Sequence, residues 1–184
     1  SEGTYLVGVD GEELTADEDP YQALDGTAGR QTVLHLNDRP TMEGAWTATV
    51  TPIRSESTLR QRAWVEDNRR RVDELSGGKL AYAWIPNTGG PGVVSFHRYI
   101  FAQQDKQGAV IDERFNGGGN LDDYMVDYMT RTLRAAITNE VPNGAPFVLP
   151  QGVLGPKVLL INERAGSGGD YFPWAFRQQK VGPL

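Results

Sequence analysis

Two glycine-rich loops place the strongest constraint on how this chain can fold. Residues 109–112 form a short apolar run, and the loop R-F-N-G-G-G-N follows at 114–120. Residues 157–161 form a second apolar run, and the loop N-E-R-A-G-S-G-G-D follows at 162–170. A helical pattern begins after each loop. Strand, glycine loop and helix in this order predict a layered α/β domain, which binds its ligand where such loops meet.

The spacing of apolar residues changes near residue 53 and divides the chain into two predicted parts. Before it, a tight turn at Asp10-Gly11 and a short helix from Pro20 interrupt a β-rich module. After it, helices and strands alternate, which predicts a parallel sheet with right-handed crossovers. The predicted strands are 5–9, 12–14, 31–36, 45–51, 79–85, 109–112 and 157–161, and the predicted longer helices are 55–75, 93–104, 121–137 and one from about residue 170.

Charge and composition exclude several classes of function. The chain has 18 basic and 24 acidic residues, and eight of the acids lie in the first 30 residues beside a single base, Arg30. No basic face is therefore predicted, and the cluster 69–71 lies among acids on one helix, so nucleic acid is not an expected partner. The chain has no cysteine, which excludes disulfides and a thiol nucleophile. No apolar run is long enough to span a membrane, and a cytoplasmic location is expected.

The second glycine loop has the pattern of a nucleophile elbow. Ala165, Ser167 and Gly169 alternate with glycines at a strand-to-helix corner. Small residues are needed on either side of the serine because Cβ atoms would collide in so sharp a turn. The backbone N–H of Gly168 would then lie at a helix N-terminus, and Gly118 in the first loop would offer a second N–H, so that the two could stabilise an oxyanion.

Other interpretations of the loops and of the missing base remain open at this level. Gly-Ser-Gly-Gly is also an ordinary flexible corner, and a phosphate-binding loop is a third possibility that the absence of G-x-x-x-x-G-K-[ST] and the acid Asp170 disfavour. A serine nucleophile needs a base. His35 and His97 lie in no recognisable catalytic pattern, and Lys180 is a poor candidate because it follows polar residues at a helix end.

The sequence resembles the tail-specific (C-terminal processing) serine peptidases. Residues 110–120 resemble their strand-plus-glycine motif and residues 160–170 their nucleophile motif, and residues 59–69, 76–80 and 172–177 make the tricorn protease branch the most similar. The resemblance implies that residues 1–53 are the later part of a PDZ-like module. It also implies that residues 54–184 are an α/β catalytic subdomain similar to the crotonase and Clp protease cores, incomplete on its C-terminal side.

The resemblance assigns roles to individual residues. Ser167 matches the nucleophile, and Gly168 and Gly118 match the backbone oxyanion donors, with Gly119 as the alternative if the register differs by one. Asp170 matches the acidic position three residues after the nucleophile.

In the tricorn branch the histidine base precedes the PDZ domain and a glutamate of the charge network follows well after the serine. Neither His35 nor His97 matches that histidine. The acid that gives the tricorn branch its preference for basic residues has no matched position in this sequence; Glu140 is nearby but does not match it. The resemblance therefore implies a fragment of a serine endopeptidase whose base lies outside this chain.

The implied partners are oligopeptide substrates and, in the full-length protein, further copies of the same chain. No cofactor and no metal are expected. The competing hypothesis is a non-catalytic protein in which residues 1–53 bind peptide ends and residues 54–184 form an inactive protease-like scaffold.

Overall fold

A computed structural model describes residues 2–138, 140, 144 and 146–184 of the chain, so that Ser1 of the predicted PDZ-like module lies outside the described residues. The chain divides into two compact units, Ser1–Gln61 and Arg62–Leu184. The predicted domain boundary at residue 53 lies eight residues before this division. The two units are described separately below.

The first unit is an antiparallel sheet of four strands. Asp10 and Gly11 both have positive φ in the turn between the first two strands, as a tight hairpin turn requires. Asp19 caps the short helix by accepting the N–H of Tyr21 at 2.9 Å, and Pro20 stands in its first turn. The strand order is β2-β1-β3-β4. The elements are β1 (Tyr5–Val9), β2 (Glu12–Glu13), α1 (Pro20–Ala23), β3 (Thr32–Asn37) and β4 (Trp46–Val50).

The second unit is built around a parallel sheet with the order β5-β6-β9. Helices connect its strands, and a separate antiparallel pair, β7 and β8, lies in the connection before β9. Helix α2 begins before the division between the units and contributes its later residues to this one. The elements are α2 (Ser57–Leu75), β5 (Leu80–Trp84), α3 (Gly90–Phe101), β6 (Gly108–Asp112), α4 (Asp122–Met129), β7 (Ala135–Ile137), β8 (Phe147–Leu149), β9 (Lys157–Leu160) and α5 (Gly168–Gln178).

Both faces of the parallel sheet are covered by helices. One face carries the fully buried Ile111 and Leu159, against which helices α3, α4 and α5 pack. The other face presents Tyr82 and Trp84 to Val65 of α2. A parallel sheet buried on both faces requires apolar residues at successive positions, which is why the strands appear in the sequence as continuous apolar runs. The predicted mixed α/β fold is confirmed.

The predicted helix 121–137 is wrong in its second half. Helix α4 ends at Met129, and residues 135–137 form the strand β7 instead. The N–H of Arg134 donates to the carbonyl of Leu149 at 2.8 Å, so that the backbone of this segment bonds to β8 rather than to its own preceding turn. Leu133 and Ile137, which continue the apolar spacing of α4 in the sequence, are exposed. Helical spacing alone therefore overestimates the length of helix α4.

Helix α3 begins at Gly90, three residues before the predicted start. The side chain of Asn87 accepts the N–H groups of Gly89 and Gly92 at 3.0 and 3.1 Å and so provides hydrogen bonds that the first turn lacks. Among the described residues no helix is both long and apolar enough to cross a membrane.

Candidate active site

The two glycine loops begin side by side at the carboxyl edge of the parallel sheet. Asp112 at the end of β6 pairs with Leu160 at the end of β9. The N–H of Glu113 then donates to the carbonyl of Leu160 at 3.0 Å, and the N–H of Gly166 donates to the carbonyl of Asn116 at 3.1 Å. These hydrogen bonds hold the first loop against the second, as the sequence predicts for loops that follow adjacent parallel strands.

Ser167 occupies a sharp corner directly before helix α5. Its φ of 58° and ψ of −121° lie in a region that side-chain-bearing residues rarely adopt. A Cβ placed on Gly169 would lie 3.2 Å from the Cβ of Ala165 and 2.9 Å from the carbonyl oxygen of Asn116. Ser167 itself is exposed, and its hydroxyl makes no hydrogen bond within the part of the chain that the structure describes. This is the geometry of a nucleophile elbow, in which small neighbours let one serine project from the turn.

The backbone N–H groups that are free beside Ser167 are not the predicted pair, Gly118 and Gly168. The N–H of Gly118 donates to the side-chain oxygen of Asn116 at 2.8 Å and is therefore occupied. The N–H groups of Gly119 and Gly168 have no acceptor among the described residues. A Cβ on Gly168 would lie 2.8 Å from the nitrogen of Gly119, so these two stretches of backbone touch. The structure therefore favours the alternative register, with Gly119 rather than Gly118 as the free donor of the first loop.

Close packing explains why the first loop has glycines at positions 118 and 119. Gly118 has a φ of +82°, and a Cβ on it would lie 2.7 Å from the Cβ of Ser167. A Cβ on Gly119, at a φ of +155°, would lie 2.2 Å from the carbonyl carbon of Thr88. Any larger residue at either position would displace the backbone that surrounds the serine.

A third segment, after β5, supports the first glycine loop, and no sequence motif predicts this contact. The N–H of Thr88 donates to the carbonyl of Gly118 at 3.0 Å, and the carbonyl of Pro86 accepts the N–H of Gly117 at 2.9 Å. The hydroxyl of Thr88 is buried and lies near the carboxyl group of Asp122. The available signal is topological: β5 is the parallel neighbour of β6, so the residues after it must reach the same edge of the sheet.

The beginning of the first loop is anchored by an ion pair whose carboxylate is buried. The carboxylate of Asp112, which is fully buried, accepts the hydroxyl of Tyr82 at 2.7 Å and the guanidinium of Arg114 at 2.6 Å. The guanidinium carbon of Arg114 also lies 4.9 Å from the ring centre of Trp64. Removing one member of such a pair leaves an uncompensated buried charge, so the direction of the loop as it leaves β6 depends on all of these groups.

Acidic side chains gather beneath the loops. Glu113 is fully buried, and burial raises the pKa of its carboxyl group to about 8, with the nearby carboxylates of Asp122 and Asp170 acting in the same direction. Burial also raises the pKa of Asp122, one of whose oxygens has no partner among the described residues. Asp170, the predicted motif position, is exposed in the first turn of α5, where a carboxylate suits the helix dipole. Within the described ranges no three or more acidic or histidine side chains are grouped so that they could hold a metal ion.

Replacing Glu113 with glutamine is expected to stabilise the second unit increasingly as the pH rises from about 4.5 to about 8. The folded state keeps the proton up to about pH 8, whereas the unfolded chain loses it near 4.5. The free energy of unfolding of the wild type therefore falls across this window, and below it both states are protonated and the effect vanishes. Glutamine does not titrate. The advantage of Glu113→Gln should grow by about 2–4 kcal/mol between pH 5 and pH 8.

Urea unfolding at the two pH values measures this difference. Glu74→Gln is the matched control, because Glu74 is exposed on α2. A stability difference for Glu113→Gln that does not change with pH would contradict the assignment of a protonated carboxyl group.

No side chain that could act as a general base hydrogen-bonds to the Ser167 hydroxyl in the described residues. The ring of His97 packs against the rings of Phe101, Tyr124 and Tyr128, with centroid distances of 5.5, 5.7 and 5.2 Å. His35 lies in β3 of the first unit. Lys180 follows the end of α5, and Glu140 is exposed in the connection between β7 and β8. None of these side chains makes a hydrogen bond with the serine.

Comparison with known proteins points to one group of peptidases. The sequence profile of peptidase family S41 matches residues 79–184, which include both glycine loops. The chain is 34% identical to tricorn protease homolog 1 of Streptomyces coelicolor and 28% identical to the tricorn protease of Thermoplasma volcanium, with 99% of this chain aligned in each case. The crystal structure of the tricorn protease superposes on 98% of the chain with a TM-score of 0.84 and 29% sequence identity.

The chain spans about 17% of the length of each of these three proteins. The similarity therefore concerns one portion of much longer polypeptides.

Proposed function

The chain belongs to peptidase family S41, and on that premise we propose that it carries the nucleophile of a serine endopeptidase that hydrolyses oligopeptides. The observation that carries this proposal is the conformation of Ser167. An exposed hydroxyl stands on a strained corner beside two backbone N–H groups, those of Gly119 and Gly168, that have no acceptor among the described residues. Strained backbone of this kind persists where the surrounding structure holds it, and it is concentrated at active sites.

The reaction proceeds by acyl transfer. A base removes the hydroxyl proton of Ser167 as its Oγ attacks the scissile carbonyl carbon, and the carbonyl oxygen becomes an oxyanion. The N–H groups of Gly119 and Gly168 donate to that oxyanion, and each such donor contributes about 3–4 kcal/mol in comparable sites. The base returns its proton to the leaving amine as the peptide bond breaks. Water then repeats the sequence on the acyl-enzyme and releases the acid and free Ser167.

The base is proposed to come from outside these 184 residues. Two observations support this proposal: the Ser167 hydroxyl has no hydrogen-bonded base in the described part of the chain, and the similar proteins are much longer. The full-length protein would then bring a histidine to the serine. Asp170 is proposed as a supporting acid at the start of α5.

A fluorophosphonate probe, which reacts with activated serines, tests this division of the site. The 184-residue chain alone is expected to be labelled slowly or not at all, and the full-length protein is expected to be labelled rapidly at Ser167. Intact-protein mass spectrometry follows both reactions. Equal rates in the two proteins would mean that this chain contains its own base.

Further features of the proposal rest on the resemblance. Residues 1–53 are proposed to be part of a PDZ-like module and residues 54–184 a catalytic subdomain with crotonase-like layering. Oligopeptide substrates, a homo-oligomeric full-length protein and a cytoplasmic location remain predictions.

A further inference from the structure

The side chain of Asn116 connects the two glycine loops. It is fully buried, and its amide oxygen accepts the N–H of Gly118 at 2.8 Å. Its main-chain carbonyl accepts the N–H of Gly166, the residue directly before Ser167, at 3.1 Å. A single residue therefore holds the backbone immediately before the free N–H of Gly119 and immediately before the nucleophile.

Glu113 contacts the nitrogen end of the Asn116 amide. The carboxyl oxygen Oε2 of Glu113 accepts a hydrogen bond from the Nδ2–H of Asn116 at 3.1 Å. An amide presents a donor at one end and an acceptor at the other, so that fixing the nitrogen against Glu113 directs the oxygen to Gly118. Glu113 is itself held at the end of β6, because its N–H donates to the carbonyl of Leu160 at 3.0 Å.

We propose that Glu113 is a positioning residue for the oxyanion site, acting through Asn116 to fix the Gly118–Gly119 backbone next to Ser167. This inference rests on the proposed function of Ser167 and of the Gly119 and Gly168 N–H groups. Satisfying the Gly118 N–H inside the loop fixes the peptide plane before Gly119, which leaves the Gly119 N–H available to a substrate. Catalysis by such donors depends on their being aligned before the reaction begins.

The surroundings of Glu113 favour its uncharged form, although the hydrogen bond from Asn116 acts in the opposite direction. Carboxylates lie near it on three elements: Asp112 at the end of β6, directly before it, Asp122 on α4 and Asp170 on α5. Its second oxygen, Oε1, is buried without a partner among the described residues, so a negative charge there would have a single hydrogen bond to stabilise it. Burial raises the pKa of the carboxyl group to about 8. Above that pH a buried carboxylate would oppose the negative charge that develops on the substrate oxygen.

Two substitutions of Glu113 in the full-length protein separate positioning from general support of the fold. Glu113→Gln keeps an acceptor for the Asn116 amide and cannot ionise. Glu113→Leu keeps the approximate volume and removes the acceptor. Glu74→Gln is again the control for loss of a carboxylate, since Glu74 is exposed and distant in sequence from both loops. Oligopeptide hydrolysis is measured from pH 6 to pH 9, with kcat and KM determined separately.

The expected results are distinct for each variant. The rate of the wild type should fall about tenfold between pH 7 and pH 9 as Glu113 ionises. The rate of Glu113→Gln should be within about threefold of the wild type at pH 7 and should not show the fall caused by Glu113 ionisation. Glu113→Leu should lower kcat by about 10–100-fold with little change in KM, since the donors are misplaced while the peptide still binds.

Two outcomes would overturn the inference: Glu113→Gln keeping the wild-type pH profile, or a folded Glu113→Leu keeping the wild-type kcat. If Glu113→Leu does not fold, the pH profile of Glu113→Gln decides alone. Ser167→Ala is measured in parallel. If it remains active, the proposed function itself is wrong and the inference fails with it, whereas an inactive Ser167→Ala means that the Glu113 variants test the inference alone.

Discussion

Replacing Ser167 with alanine in the full-length protein is expected to reduce kcat for oligopeptide hydrolysis by about 10⁴–10⁶-fold. The hydroxyl is exposed and makes no hydrogen bond among the described residues, so its loss removes the nucleophile without removing a structural contact. Alanine retains the Cβ and therefore the strain of the positive φ at this corner. The thermal unfolding temperature should accordingly change little.

The comparison with Ser57→Ala makes this result specific. Ser57 is exposed at the start of α2, and among the described residues its hydroxyl hydrogen-bonds only with that of Ser55. That variant should keep wild-type activity. If Ser167→Ala still hydrolyses peptides, Ser167 is not the nucleophile. If the wild type and Ser167→Ala both fail to hydrolyse any peptide but bind peptides equally well, the chain belongs to a non-catalytic peptide-binding protein.

Replacing Gly119 with alanine is expected to lower kcat by about 10²–10³-fold or more, the range found when one oxyanion donor is lost. A Cβ at this position would lie 2.2 Å from the carbonyl carbon of Thr88 and 2.3 Å from the nitrogen of Gly89, at a φ of +155°. Both contacts are with backbone, which cannot rotate away as a side chain can. The loop must therefore move, and the Gly119 N–H moves with it.

Gly117→Ala is the matched control in the same loop. A Cβ on Gly117 would have its nearest contact at 3.8 Å, with the carbonyl oxygen of Pro86, and the φ of Gly117 is not positive. Activity should remain within about threefold of the wild type. Circular dichroism and thermal unfolding of both variants separate a displaced loop from an unfolded protein. A folded Gly119→Ala with normal kcat would show that its N–H is not used.

The general layout of the catalytic edge can be predicted from sequence because it depends on strand order and on small residues. Apolar runs identified β6 and β9, and the glycines after them identified the loops. The alternation of small residues around Ser167 predicted an elbow, and the contact between Ala165 and a Cβ at position 169 gives its physical reason.

The choice between Gly118 and Gly119 could not be predicted, because it depends on one side-chain hydrogen bond. Asn116 accepts the N–H of Gly118, two residues later, as asparagine side chains often do in turns, but the glycine pattern by itself does not show which N–H is taken. The burial of Glu113 was also missed. A glutamate between an aspartate and an arginine is usually exposed, but this one is fully buried, near the carboxylates of Asp122 on α4 and Asp170 on α5.

The helix predicted through residue 137 shows a different limit. The apolar spacing of α4 continues past Met129, but the hydrogen bond from Arg134 to Leu149 commits the following segment to a strand. The partner strand, β8, lies ten residues farther along the chain, and its apolar run of three residues is too short to predict a strand. Periodicity within one segment does not register such competition from a distant segment.

The most direct test of the central claim is a crystal structure of the full-length protein after reaction with a fluorophosphonate. The account predicts a covalent bond from the phosphorus to Ser167 Oγ, with the phosphonyl oxygen about 2.7–3.1 Å from the nitrogens of both Gly119 and Gly168. An adduct on another residue, with Ser167 unmodified, would contradict the account. So would an adduct on Ser167 whose oxygen points away from both nitrogens, since the two loops would then not form an oxyanion site.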